Sequence, residues 1–245
     1  MFLGGTIQSS LDFRLGIFAL PTLISMGKTL PESVMIIALS SFFQTSWTSF
    51  LLRKNIPWKS TKKAVFLRIL FVPLGILFLA FISKLAINDM KQITGIMLLS
   101  IIIFQISPRK INIKKSKIDW SYIAFPLSGF MSGSLGIGGP PMVLWSMNSK
   151  LSQIQIRSFL LTTFALTLPV TLTILFISFP HVIKSALLSS VFAIPSLALG
   201  IKLGLYITNK LNMIMYKRAL LILMFLLSLG LILKPFLDNL NISRR

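Results

Sequence analysis

Apolar runs alternate with short polar stretches along the whole chain. Eight such runs can be placed, at roughly 2–26, 33–52, 64–83, 92–107, 121–147, 158–178, 183–207 and 217–237. Most are near the ~20 residues that a helix needs to cross the hydrocarbon core of a bilayer. The fourth is short and the fifth is long. The polar stretches between them are too short for a soluble domain. This pattern predicts an all-α polytopic membrane protein of about eight hydrophobic helical segments.

The order of segments also suggests duplication. A shift of 124 residues lays Leu3, Gly5, Ser10 and Leu11 on Leu127, Gly129, Ser134 and Leu135. A shift of 122 lays Ala64, Pro73 and Leu77 on Ala186, Pro195 and Leu199. Each half reads as a Gly-containing segment, an apolar segment, one with a central Pro, and a last apolar segment. The expected organisation is a first repeat over 1–107, a basic cytoplasmic linker over 108–120 and a second repeat over 121–245, all in one membrane domain. Internal repeats of this kind are common in secondary transporters, with the substrate site at their interface.

Composition narrows the class. Of the 245 residues 54% are hydrophobic and 12% charged, against about 25% charged in soluble domains. The net charge of +20 does not imply nucleic-acid binding, because Lys and Arg sit in short stretches between apolar runs. That placement encodes membrane topology. The N-terminus lacks the positive region of a cleaved signal and is read as mature structure. The expected location is the cytoplasmic (inner) membrane of a bacterium, with multiple passes.

Stretches 53–63 and 108–120 each hold five Lys or Arg, and both are expected on the cytoplasmic side. Two topologies remain open. If all eight segments span, the repeats are parallel. If segments one and five are re-entrant, three spans remain per half and the repeats are inverted. Stretch 179–185, the counterpart of 53–63, holds only Lys184. That contrast favours inversion slightly, whereas total charge counts do not separate the two.

Segment five carries the strongest local signal. Gly129, Gly133, Gly136, Gly138 and Gly139 lead into Pro140-Pro141. Such residues break a helix, and a break inside a bilayer is tolerated only where it is buried in protein or lines a cavity. A helix restarting at Pro140 would aim its N-terminus at that cavity, which favours an anion. Ser132 and Ser134 add hydroxyls. Close helix packing through small residues is the competing explanation, and the spacing of Gly129 and Gly133 suits it.

The counterpart in segment one is Gln8, Ser9, Ser10, Asp12 and Arg14, leading to Pro21. Ionisable groups at this depth usually face a cavity or a partner. Asp12 could carry a coupling proton or hold Arg14, although both could also reach interfacial water. Arg157 opens segment six and could neutralise an anion, or act as an ordinary interfacial arginine. Arg68 and Lys202 are expected to snorkel, and His181 to be a solvated loop residue. No paired carboxylates, Cys, His cluster or P-loop is present, so no enzyme activity, metal or cofactor is expected.

The run from Gly129 to Trp145 resembles the second-half signature of the sulfite exporter TauE/SafE family of membrane transporters. Residues Gly4 to Pro21 resemble its N-terminal counterpart. Where relatives tend to have a Gly-aromatic-Gly run, this chain has Asp12-Phe13-Arg14, which makes the site more charged. The resemblance implies ion-gradient-driven transport, often export, of a small sulfur-containing anion such as sulfite or an organosulfonate. The expected partners are that anion, the lipid bilayer and a coupling proton or sodium ion. A homo-oligomer is compatible. The alternative is a non-transporting integral-membrane scaffold subunit, whose glycines would serve packing alone.

Overall fold

The computed structural model describes residues 19–106, 119–147 and 149–191, together with 222, 225–226 and 228–233. Among these residues the regular structure is entirely helical. The first long helix, α1, runs over Leu30–Leu51. Thr29 caps it by accepting the Glu32 amide, Pro31 occupies its first turn, and Glu32 places a negative charge at its positive end. A 3-10 turn at Arg53–Asn55 leads to α2, Trp58–Ile82. Next come α3 at Ile87–Ile106, α4 at Ser121–Leu135, α5 at Gly139–Met147 and α6 at Gln153–Ser178. A capping box between Ser152 and Gln155 starts α6.

Three of these helices, α1, α2 and α6, are long and apolar enough to cross a membrane. The eight-segment repeat is compatible with this architecture. Residues 1–18 of segment one, and most of segments seven and eight, lie outside the described residues.

Several helices begin before their apolar runs do. The α2 helix starts at Trp58, not 64, so Lys59, Lys62 and Lys63 form its first turns. The α3 helix starts at Ile87, not 92, with Asp89 in its first turn. The α6 helix starts at Gln153, not 158, so Arg157 is already helical. Charged residues end an apolar run without breaking a helix, since Lys, Arg and Glu are good helix formers.

Named contacts fix the direction of each helix. The Lys63 ammonium meets the Asp119 carboxylate at 2.6 Å. Further along, Gly129 packs on the Arg68 backbone and Gly133 on Val72. Helices α2 and α4 therefore lie side by side and run in the same direction. Helices α1 and α6 are antiparallel. The Ser49 and Thr162 hydroxyls are 2.7 Å apart, and Ser158 donates to the Leu52 carbonyl at 3.1 Å. At the opposite end Ser185 donates to Glu32.

These directions place the two ends of segment five relative to the other helices. It begins at Asp119, beside the start of α2, and it delivers the chain to the start of α6, beside the end of α1. Both places lie at the basic end of the bundle. The Phe125 ring near the start of α4 sits 4.9 Å from Trp145 near the end of α5, and Phe159 of α6 is 5.0 Å from Trp145. Segment five thus folds back on itself as a helical hairpin whose two ends lie close together.

Candidate functional site

The hairpin turns at Gly136, whose φ of 71° lies in the left-handed region. That conformation strains a residue with a Cβ, which is why glycine closes so many helices. The Gly136 amide bonds back to Ser132 O at 3.0 Å and the Ile137 amide to Met131 O at 3.2 Å. After Gly138 the chain restarts as α5 with Gly139-Pro140-Pro141. Two of the first three residues of α5 have no amide hydrogen. The new helix start therefore offers an anion fewer donors than a helix N-terminus ordinarily would.

Beside the turn lies a cavity of ≈ 40 Å³. The turn forms one wall through Ser132, Gly136, Ile137, Gly138 and Gly139. Helix α1 supplies Ala38, Ser41 and Thr45, and α6 supplies Leu161, Phe164, Leu168 and Thr171. The α6 residues recur at a spacing of three and four, so they share one helix face. Thr45 Oγ1 donates to Ser41 O at 2.7 Å and Thr171 Oγ1 to Thr167 O at 3.0 Å. These two hydroxyls therefore turn lone pairs, not protons, toward other partners. Among the described residues no acidic side chain lines the cavity.

Sequence reasoning placed Arg68 at the membrane surface, and the structure corrects this. The residue is 0% exposed. Helix α2 begins at Trp58, so Arg68 lies ten residues, roughly 15 Å, along its axis. It is packed in the bundle instead of reaching back to water. Its Nη1 donates to Ser128 Oγ, which in turn donates to the Gly138 carbonyl. Its Cζ stands 4.1 Å over the Phe164 ring, a cation–π arrangement. Nε and Nη2 have no hydrogen-bond partner among the described residues. Both the Gly138 backbone and the Phe164 ring belong to the cavity wall, so the guanidinium lies directly behind it. An arginine after an apolar stretch was the only available signal, and it does not distinguish burial from snorkelling.

The remaining expected residues divide. Gln8, Ser9, Ser10, Asp12 and Arg14 lie outside the described residues. Ser132, Gly136, Gly138 and Gly139 line the cavity. Gly133 does not: its Cα faces Val72, Gly75 and Ile76 of α2, as the packing explanation has it. Ser134 points back to Phe130 O at 2.9 Å, and Pro140 is buried within α5. Arg157 is half-buried, and its Nε has no partner among the described residues. It precedes Leu161 by one turn on the face of α6 that lines the cavity. His181 lies in the 3-10 turn Pro180–Val182, against the Phe179 ring. No group of His, Cys, Asp or Glu able to hold a metal occurs among the described residues.

The Sulfite exporter TauE/SafE family profile matches residues 1–231. The chain belongs to this family. It is therefore a multi-pass member of a family of membrane transporters. No curated protein and no solved structure matches the chain.

Proposed function

We propose that this TauE/SafE family member is a secondary transporter that exports a small oxyanion, such as sulfite or an organosulfonate. It works by alternating access in the cytoplasmic membrane of a bacterium, driven by a proton or sodium gradient. The observation that carries this reading is the broken hairpin opening onto a small cavity closed by α1 and α6. Irregular backbone at depth is costly unless it lines such a space. A buried arginine behind the wall and Arg157 one turn above it give the region a positive potential, which suits an anion. A scaffold subunit would have no use for that combination.

Proteoliposomes loaded with sulfite provide the test. Efflux should rise when an ion gradient is imposed and fall when an ionophore collapses it. Gly136→Ala, which strains the turn, should reduce that efflux. Sulfite release that is the same in empty and protein-bearing vesicles would remove the proposal.

A further inference from the structure

An arginine shut inside a membrane bundle normally has its hydrogen-bond donors satisfied, because an unpartnered buried charge is very costly. Arg68 departs from this. Only Nη1 is engaged, by Ser128. Nε and Nη2, adjacent on one edge of the guanidinium, have no acceptor among the described residues. That edge presents two roughly parallel N–H groups, the fork that fits two oxygens of one planar or tetrahedral oxyanion. The aromatic face of Phe164 partly compensates the charge, and Phe164 also lines the cavity.

Taking the cavity as the transport site, we infer that Arg68 is the substrate-recognition residue and that Phe164 is its cover. The Nε–Nη2 edge binds two oxygens of the substrate once the Phe164 ring swings aside. Ser128 holds the guanidinium by Nη1 and ties it to the Gly138 carbonyl, so the fork keeps a fixed orientation to the hairpin turn. The substrate class follows from the geometry. It carries two oxygens on one central atom, as sulfite, sulfonates and carboxylates do, whereas a halide is a single acceptor that meets the two parallel N–H groups only at bent angles.

The test uses the full-length protein in detergent and in proteoliposomes, probed with sulfite, methanesulfonate and chloride. Wild-type protein should bind the two oxyanions more tightly than chloride. Arg68→Lys keeps the charge but loses the fork. It should weaken oxyanion binding about tenfold or more while changing chloride binding little, with KM for sulfite rising accordingly. A purely structural arginine would lower the folded fraction without altering the oxyanion-to-halide ratio. An unchanged ratio in Arg68→Lys, with sulfite still transported, overturns the assignment and leaves the transporter reading standing. Wild-type protein that neither binds nor moves any oxyanion sinks both. If Arg68→Lys does not fold, wild-type protein treated with phenylglyoxal and mapped by peptide mass decides the matter. Modification of Arg68 should be blocked by sulfite and not by chloride. An Arg68 that reacts equally with and without sulfite, or never reacts, overturns the inference.

Discussion

Three glycines of one helix and its turn do three different jobs. Gly133 lets α4 lie backbone to backbone on α2, and a Cβ there would enter the Val72 carbonyl. Gly136 supplies a left-handed turn. Gly138 leaves room beside Arg68: a Cβ there would stand 2.7 Å from Ser128 O and 2.9 Å from Arg68 Nη1. Gly133→Ala should therefore act on stability, costing about 1–3 kcal/mol as an overpacked contact. Gly27→Ala is the control, since Gly27 has φ 88° but open space around it. It should cost only the backbone strain, about 1–2 kcal/mol. Thermal melts of the purified variants compare the two, and a Gly133→Ala protein that melts like wild type would mean that α2 and α4 do not touch at Gly133. Gly138→Ala should instead disturb the site, with sulfite efflux falling further than the melting temperature predicts. The helix break itself could be read from the Gly and Pro residues, because their backbone limits are local. Which glycine packs and which lines a cavity could not, because that depends on what α2 places opposite. The same holds for Arg68, whose depth depends on where α2 begins.

At the scale of elements, a re-entrant segment five is a prediction that the chain is well suited to test, since it contains no cysteine. Single cysteines at Ser60 and Ser149 should react with a membrane-impermeant maleimide from the same side. Single cysteines at Ser83 and Ser185 should react only from the other. Labelling of Ser60 and Ser149 from opposite sides would turn segment five back into a span. Sequence left these topologies open because charge counts are the same kind of evidence for both. Contacts between distant segments bear on the choice, and those are not written in any one segment. The salt bridge that starts α2 and α4 together also titrates. The hydrogen bond from Lys63 holds the Asp119 carboxyl below its ordinary value, with help from the Ser121 amide. A lowered carboxyl pKa stabilises the fold at pH above the usual carboxylate range, near 4. That contribution is lost as pH falls through the lower folded value. Both groups are partly exposed, so the effect should stay below about 1 kcal/mol. Asp119→Asn should melt slightly lower than wild type at pH 7, and the difference should vanish in strong acid. A gap that persists unchanged at acid pH would assign the loss to something other than this charge.

The whole molecule shows an arrangement that a soluble bundle would avoid. Along α2, Phe66, Leu70, Leu74, Leu77 and Phe81 are each at least half exposed, while Arg68 on another face of the same helix is fully buried. The buried face of α2 combines Arg68 with apolar Val72, Ile76 and Leu79, and the outer face is made of large apolar side chains. This is expected where the surrounding solvent is lipid, and it explains why the apolar runs of the sequence show little amphipathic pattern: both faces of each helix are apolar for different reasons. The consequence reverses the usual rule for surface substitutions, which in water stay within about 0.5 kcal/mol. Leu74 is 50% exposed and lies near the middle of α2, so Leu74→Lys places a charge in hydrocarbon. Insertion scales put that at about 2.5–3.5 kcal/mol near a helix centre. Leu74→Lys should therefore reduce the amount of folded protein recovered from membranes severalfold, whereas Leu74→Phe should leave it unchanged. Full recovery of the lysine variant would mean that this stripe faces water or a partner protein instead of acyl chains.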